Sequence, residues 1–191
     1  MIIVATANKG KFKEIGGYLA DIGEGLLALP DLNESVAVEE DRPTYFENAW
    51  KKARKIGNRF GMKTLADDSG LEVAALRGRP GTHSARYGAS DAERVDRLLA
   101  ELRGLPREGR SAVFRAYLVY YLPDVEQTFI FYGSLKGYIG FEKRGEMGFG
   151  FDPVFMVPGL ERSLAELAME EKNRISHRGK ALAALKAFLD A

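Results

Sequence analysis

Two adjacent carboxylates, Asp67 and Asp68, are the residues whose type and spacing point most directly to chemistry. They lie in the segment LADDSGLEV at 65–73. Neighbouring carboxylates repel each other, and burying them is costly unless a cation compensates. Mg²⁺ binds carboxylate oxygens and often bridges to substrate phosphates, and a carboxylate beside it could activate water. The alternative is an Asp-rich turn in which Gly70 supplies the bend, and the pair alone does not separate the two.

A second candidate site is the segment TANKGK at 6–11, between a predicted strand and a predicted helix. Lys9, Lys11 and Lys13 crowd the start of that helix, where positive charge is unfavourable. A docked phosphate would remove this cost. The segment is not a Walker P-loop, because the glycine spacing and the Lys-Ser/Thr pair are missing. Lysines that simply point into water would explain it equally well.

The segment GFGFDPVF at 148–155 alternates glycine with phenylalanine. A phenylalanine ring could stack on a nucleobase, and Asp152 could accept hydrogen bonds from base N–H groups. The alternative is a core strand with glycine bulges.

The segment KNRISHR at 172–178 places cations at the start of a predicted last helix, where an electron-rich ligand would compensate them. Nothing around His177 is typical of a zinc site, and His83 is interpreted as a loop residue. The acidic run Glu39-Glu40-Asp41 is by itself typical of a solvated turn. Taken together, the four segments suit a nucleotide with its metal and phosphates.

These segments are expected at the ends of regular elements. The β-branched run Ile2–Ala5 predicts a buried strand, and Lys9–Ala20 predicts the helix after it. Ser111–Leu122 and Gln127–Phe141, rich in Tyr, Phe, Val and Ile, predict two long antiparallel strands joined by a short turn. Helices interleaved with strands predict an α/β protein with a mixed sheet and flanking helices.

Capping signals predict three further helices. Thr44 with Glu47 and Ser90 with Glu93 have the spacing of capping boxes, and Ser176 can cap the last helix. The side chains expected to face the core are Phe46, Ala49, Trp50, Ala53, Ile56 and Phe60, then Val95, Leu98, Leu99 and Leu102, then Ala181, Leu182, Leu185, Phe188 and Leu189.

Composition excludes several classes of function. The 191 residues carry a net charge of +1, which gives no broad electrostatic surface for duplex nucleic acid. There is no cysteine, which excludes disulfides, thiol catalysis and Cys-ligated zinc. No stretch approaches the ~20 apolar residues of a membrane span, and no signal peptide is visible, so a cytoplasmic location is expected. Residues 1–191 are predicted to form one domain, which could be built as two lobes.

The motifs resemble, in order along nearly the whole chain, those of the inosine/xanthosine triphosphate pyrophosphatases, which clear non-standard purine nucleotides. The resemblance implies an elongated mixed sheet, two lobes around a central substrate cleft, and a homodimer. The segments that carry it are T-x-N-x-x-K at 6–11 with Glu14, Glu40 ahead of FENA at 46–49, ADDSGL at 66–71, G-x-PG-x-x-SARY at 78–87, GFGFDP at 148–153, and EKN at 171–173 with SHR at 176–178.

The resemblance also implies residue roles. Asp68 would be the catalytic proton acceptor and, with Glu40, a ligand of Mg²⁺; Asp67 would support the metal site. One Mg²⁺ per subunit is expected, and whether substrate brings more is open. The triphosphate would be held by Thr6, Ala7, Asn8, Lys9, Gly10 and Lys11, with Ser69 also touching substrate.

The base would be bound by residues nearer the C-terminus, between positions 149 and 178. Phe149 would stack on it beside Lys172, with Gly150 and Phe151 in the same loop, while Asp152, His177 and Arg178 would contact its polar edge. Arg178 would donate to the 6-oxo oxygen of hypoxanthine or xanthine. Adenine has an amino donor there, and leaving such donors unpaired costs roughly 1–3 kcal/mol, or about 5- to 150-fold in selectivity.

Two alternatives stay open. One is a related pyrophosphatase that acts on modified pyrimidine or other nucleotides, which a substrate panel would distinguish. The other is a nucleotide-sensing or RNA-binding module without turnover, which would bind its ligand whether or not Mg²⁺ is present.

Overall fold

The computed structural model describes residues 1–32 and 36–191. The strands in these residues are β1 (Ile2–Val4), β2 (Leu26–Ala28), β3 (Thr64–Val73), β4 (Ser111–Leu122), β5 (Gln127–Ile139), β6 (Phe155–Val157) and β7 (Arg162–Ser163). The α-helices are α1 (Lys9–Tyr18), α2 (Tyr45–Phe60), α3 (Asp91–Glu101), α4 (Met169–Ile175) and α5 (His177–Leu189). No helix in the described part of the chain is long and apolar enough to cross a membrane.

The strands form one mixed sheet in the order β2-β1-β3-β4-β5-β6-β7. β1 runs parallel to β2 and β3, whereas β6 runs antiparallel to β5 and β7. Residues 123–126 alone join the neighbouring strands β4 and β5, and so short a link permits only an antiparallel pair. The predicted α/β fold with a mixed sheet and flanking helices is confirmed.

The chain divides into two compact units. The first comprises residues 1–68, 116–133 and 178–191, and the second comprises residues 69–115 and 134–177. The boundaries fall inside β3, β4 and β5, so each of these strands contributes residues to both units. The single domain and the central cleft expected from the sequence stay predictions.

The first unit is built from the alternation of side chains along β1. Ile2 and Val4 face a core that they share with residues of α1 and α5. Ile3 and Ala5 face the opposite core, which they share with residues of α2. Because successive strand residues point to opposite faces, one short apolar strand supports helices on both sides.

The second unit has its own core, in which α3 packs through Val95 and Leu98, joined by Leu102 just after the helix. Phe114 and Phe155 belong to the same core, with ring centroids 4.6 Å apart.

The predicted helix caps at Thr44 and Ser90 are confirmed. The Thr44 and Ser90 hydroxyls accept hydrogen bonds from the amides of Glu47 and Glu93, both at 3.2 Å. The inward orientation predicted for Trp50 and Phe188 is wrong, since they are 37% and 39% exposed; the Arg54 guanidinium lies over the Trp50 ring. Trp50 follows Ala49 in α2, and the buried stripe runs through Ala49, Ala53 and Ile56.

Candidate active site

Asp67 and Asp68 lie inside β3, which runs without interruption from Thr64 to Val73. The alternative interpretation of an Asp-rich turn is therefore wrong, and Gly70 is a strand residue. Side chains alternate along a strand, so the two neighbouring carboxylates point to opposite faces and have different environments.

Asp67 belongs to a buried cluster of four charged side chains in the first unit. Arg178 donates from Nε to Asp67 Oδ2 at 3.0 Å and from Nη1 to Glu14 Oε2 at 2.5 Å. Lys11 Nζ lies 3.3 Å from Asp67 Oδ2. Two acids and two bases thus neutralise each other; Asp67, Glu14 and Arg178 are buried, and the Lys11 side chain is partly exposed to solvent.

The cluster keeps Asp67 ionised. Burial by itself would raise the pKa of Asp67, but the charges of Arg178 and Lys11 and the hydrogen bond from Arg178 together hold it well below the usual range. A carboxylate that resists protonation is a poor general base. Asp67 therefore acts as a fixed negative charge that orients Lys11 and Arg178.

The pKa of Asp67 is lowered, whereas that of Asp68 is raised. Burial raises its pKa to about 6, against the opposing charges of Lys11 and Lys52, and the negative charges of Glu40 and Asp67 raise it further. A carboxyl group that titrates near 6 can accept a proton at neutral pH and release it again. The two adjacent aspartates are thus chemically distinct, and Asp68 has the pKa of a general base.

Glu40 is held by Lys52, whose ammonium group donates to Glu40 Oε1 in a short hydrogen bond. In residues 1–32 and 36–191, no three acidic or histidine side chains gather into a site that could hold a metal with protein ligands alone. Mg²⁺ is commonly bound by one or two carboxylates and completed by substrate phosphates and water. The electrostatically coupled carboxylates of Glu40 and Asp68 fit such an open site.

Lys52 and Glu14 are site residues to which the sequence reasoning gave no role. Lys52 is buried on α2, at a position where the helical period of Ala49, Ala53 and Ile56 predicts an apolar side chain. A lysine on the core face of a helix was the feature of the sequence that could have identified Lys52 as a site residue. Glu14 is also buried on α1, but its position in the sequence gave no comparable signal.

The segment 6–11 is fixed by its own side chains. Thr6 Oγ1 accepts from the Asn8 amide at 3.1 Å, and Asn8 Oδ1 caps α1 by accepting from the Lys11 amide at 3.0 Å. Of the lysines at this helix start, Lys9 and Lys13 are exposed to solvent, as the alternative interpretation expected. Lys11 instead turns toward Asp67. Ala7 is exposed and Gly10 half-buried in the same segment.

The glycine-phenylalanine segment of the second unit is a turn, so the alternative of a core strand is wrong there. Gly148 and Gly150 have φ values of 80° and 61°, which favour glycine. Asp152 Oδ2 accepts from the Phe149 amide at 2.9 Å and from Lys172 Nζ at 2.5 Å. Lys172 Nζ also lies 5.0 Å from the centre of the half-buried Phe149 ring. This arrangement combines an aromatic face with an adjacent buried ion pair.

Phe151 and His177 pack in the second unit. Phe151 is buried and meets Tyr87 edge-on at 6.2 Å. The buried His177 ring stacks on Phe114, with centroids 4.6 Å apart and planes 8° from parallel. The half-buried Ser69 also belongs to this unit.

The helix-end argument for residues 172–178 is partly wrong. Lys172 and Arg174 lie in the last turn of α4, where cations are favourable. Ser176, in an extended conformation, separates α4 from α5, so only His177 and Arg178 occupy a helix start.

Comparison with known proteins decides the family. Residues 2–188 match the model of the Ham1 family. The chain belongs to the Ham1 family. It is 45% identical over 194 residues to a dITP/XTP pyrophosphatase of Yersinia pseudotuberculosis, covering 100% of this chain and 96% of that one. It is 46% identical to the dITP/XTP pyrophosphatase of Geobacter sulfurreducens, covering 98% of this chain and 96% of that one.

The fold of this Ham1-family chain is similar to solved structures over nearly its whole length. A HAM1 protein from Coxiella burnetii superposes with a TM-score of 0.88 at 38% identity, covering 99% of this chain and 98% of that one. The Staphylococcus aureus Ham1 protein gives a TM-score of 0.86 at 38% identity, covering 99% and 97%. The family resemblance inferred from the sequence motifs is confirmed.

Under the function proposed below, replacing Gly148 by alanine is expected to raise KM for the nucleotide by about 10-fold or more. A Cβ at Gly148 would fall 2.1 Å from Asp152 Oδ2, so Asp152 would have to leave Lys172 and the Phe149 amide. The measurement is KM for the nucleotide substrate. Gly159→Ala is the control, because Gly159 has a similar φ of 85° but open space around it. Equal KM values in the two variants would contradict the expectation.

Proposed function

We propose that this Ham1-family protein hydrolyses the non-standard purine nucleoside triphosphates ITP, dITP and XTP to monophosphate and pyrophosphate in a Mg²⁺-dependent reaction. This activity would keep deaminated purines out of DNA and RNA. The observation that carries the proposal is the arrangement of the two acids in β3: Arg178 and Lys11 bind Asp67, while the adjacent Asp68 points to the opposite face of the strand.

The proposed reaction is a hydrolysis of the anhydride bond between the α- and β-phosphates. Asp68 accepts a proton from water, and the resulting hydroxide attacks the α-phosphorus. The bond to the bridging oxygen breaks, and pyrophosphate leaves with the electron pair. Bound Mg²⁺ would neutralise phosphate charge and lower the pKa of water beside Glu40 and Asp68. Lys11, together with the capped segment 6–11, would hold the phosphates.

The base is proposed to stack on Phe149 beside the Lys172–Asp152 ion pair. Asp152 can accept from the N1–H donor of hypoxanthine or xanthine, whereas N1 of adenine is an acceptor. A carboxylate facing that nitrogen would leave two acceptors opposed, which penalises ATP. His177 and Arg178 are proposed to contact the same polar edge.

A panel of ITP, dITP, XTP, ATP, GTP and a modified pyrimidine triphosphate tests the substrate class. The deaminated purines are expected to exceed ATP in kcat/KM by about 5- to 150-fold. Pyrophosphate release at several substrate concentrations gives the ratio. A preference for the modified pyrimidine would favour the related pyrophosphatase, and Mg²⁺-independent binding without turnover would favour a binding module.

The metal assignment predicts that Glu40→Gln raises the Mg²⁺ concentration needed for half-maximal turnover by on the order of 10- to 100-fold. The variant removes one carboxylate charge next to Asp68. Glu39→Gln makes the same chemical change at an exposed neighbour and should leave the Mg²⁺ requirement as it is. An unchanged requirement in Glu40→Gln would remove Glu40 from the metal site. The homodimer and the cytoplasmic location stay predictions from the sequence.

A further inference from the structure

We propose that Asp91 is a positioning residue for nucleobase recognition, because its carboxylate fixes the loop that carries Phe149. Asp91 lies in none of the segments that the family resemblance picked out. The inference rests on the proposed function in that it takes Phe149 to be the stacking surface for the base.

The central contact is a hydrogen bond from the Gly150 amide to Asp91 Oδ2 at 2.7 Å. The preceding amide, that of Phe149, donates to Asp152 Oδ2 at 2.9 Å. Two successive amides are therefore each bound by a carboxylate, one from the loop itself and one from α3. The Phe149 ring is attached between these two anchored amides, so the contacts fix the backbone that sets its direction.

Asp91 is itself held in place. Its Oδ1 accepts from Arg94 Nη1 at 2.6 Å, and Arg94 Nε donates to the Gly88 carbonyl at 3.2 Å. Asp91 is the first residue of α3, and the helix dipole favours a negative charge at that end. The carboxylate is therefore oriented before it meets the loop, which reduces the entropy cost of holding Gly150.

The start of the loop is supported at two other points, one from α3 itself and one from Arg110. Asp96 and Lys143 form an ion pair of 2.6 Å. The Leu102 carbonyl, just after α3, accepts from Arg110 Nη1 at 2.8 Å. The buried Arg110 guanidinium also donates to the carbonyls of Ile139 and Gly140, at 2.7 and 2.6 Å. These contacts support only the start of the loop, residues 139–143, whereas Asp91 contacts the end that bears Phe149.

The test compares Asp91→Ala, Asp91→Asn and Asp96→Ala by steady-state kinetics with ITP. Asp91→Ala removes the acceptor of the Gly150 amide and is expected to raise KM about 5- to 10-fold, with kcat within 2-fold of wild type. Asp91→Asn keeps an oxygen at the same reach and should restore most of the affinity. Asp96→Ala removes a carboxylate that the same helix offers to the same loop, and its KM should stay within 2-fold.

Hydrogen exchange of the Gly150 amide and thermal unfolding complete the test. Exchange should speed up in Asp91→Ala and not in Asp96→Ala, while both variants melt within a few degrees of wild type. Equal KM values for the two alanine variants would overturn the proposal, as would a loss confined to kcat. Failure of the proposed function would instead appear in the wild-type protein, as no pyrophosphate from ITP, whereas amide exchange reports the anchoring without turnover.

Discussion

Asp68→Asn is expected to lower kcat for ITP by about 10²- to 10⁴-fold, while nucleotide affinity stays within a few-fold of wild type. Asparagine keeps the shape of the side chain and one oxygen that can approach a metal, but it cannot accept the proton of the attacking water. The measurements are single-turnover rates at saturating Mg²⁺ and calorimetric binding of ITP. Glu72→Gln is the matched control, because Glu72 lies on the same strand but binds Arg115. Unchanged turnover in Asp68→Asn would eliminate Asp68 as the base.

The same variant is expected to be more stable than wild type without metal at neutral pH. The folded pKa of Asp68, about 6, lies above its ordinary value of 3.8, so the native state binds the proton more tightly than the unfolded state. Wild-type stability therefore falls as pH rises from about 4 to 6, by up to about 3 kcal/mol. The asparagine side chain of the variant does not titrate, so urea unfolding should show the advantage growing over that pH range. A pH-independent difference would contradict the assignment.

Arg178→Ala is expected to cause the largest loss of stability among these substitutions, about 3–5 kcal/mol. It would leave the buried carboxylates of Asp67 and Glu14 without the guanidinium that binds both. For a chain of this length the loss corresponds to about 6–20 °C in Tm, measurable by calorimetry. Lys186→Ala is the matched control, since it removes an exposed ion pair between α5 and Asp21 and should change Tm little. Similar melting of the two variants would contradict the buried-cluster account.

Arg178→Ala also tests base reading, at a temperature where the variant stays folded. The ratio of kcat/KM for ITP over ATP is expected to narrow if Arg178 donates to the 6-oxo oxygen. An unaltered ratio would show that other residues distinguish the bases, and would leave Arg178 the role of holding Asp67 and Glu14.

The parts of the fold that could be predicted from the sequence are those set by neighbouring residues. The caps at Thr44 and Ser90 act on amides three residues away, so their spacing predicts α2 and α3 directly. The β-branched run at 2–5 predicts β1 because alternate side chains find apolar partners on both faces. The exposure of Trp50 could not be predicted in this way, because helical periodicity allows several choices of buried stripe along α2 and tertiary packing selects one.

The environment of the acid pair could not be predicted locally. An Asp-Asp-Ser-Gly segment favours a turn by local rules, but here it is a strand, in which distant residues neutralise Asp67. Lys11 and Arg178 lie 56 and 111 positions away in the sequence. The contrast between an ionised Asp67 and an Asp68 that titrates near 6 arises from those contacts and from burial, neither of which the two adjacent letters encode.

Product analysis of ITP hydrolysis by ³¹P NMR tests the central claim most directly. Wild-type protein with Mg²⁺ is expected to give inosine monophosphate and pyrophosphate in equal amounts, with no inosine diphosphate at any time, and Asp68→Asn is expected to give neither product at a comparable rate. Release of orthophosphate with inosine diphosphate would contradict the proposed reaction.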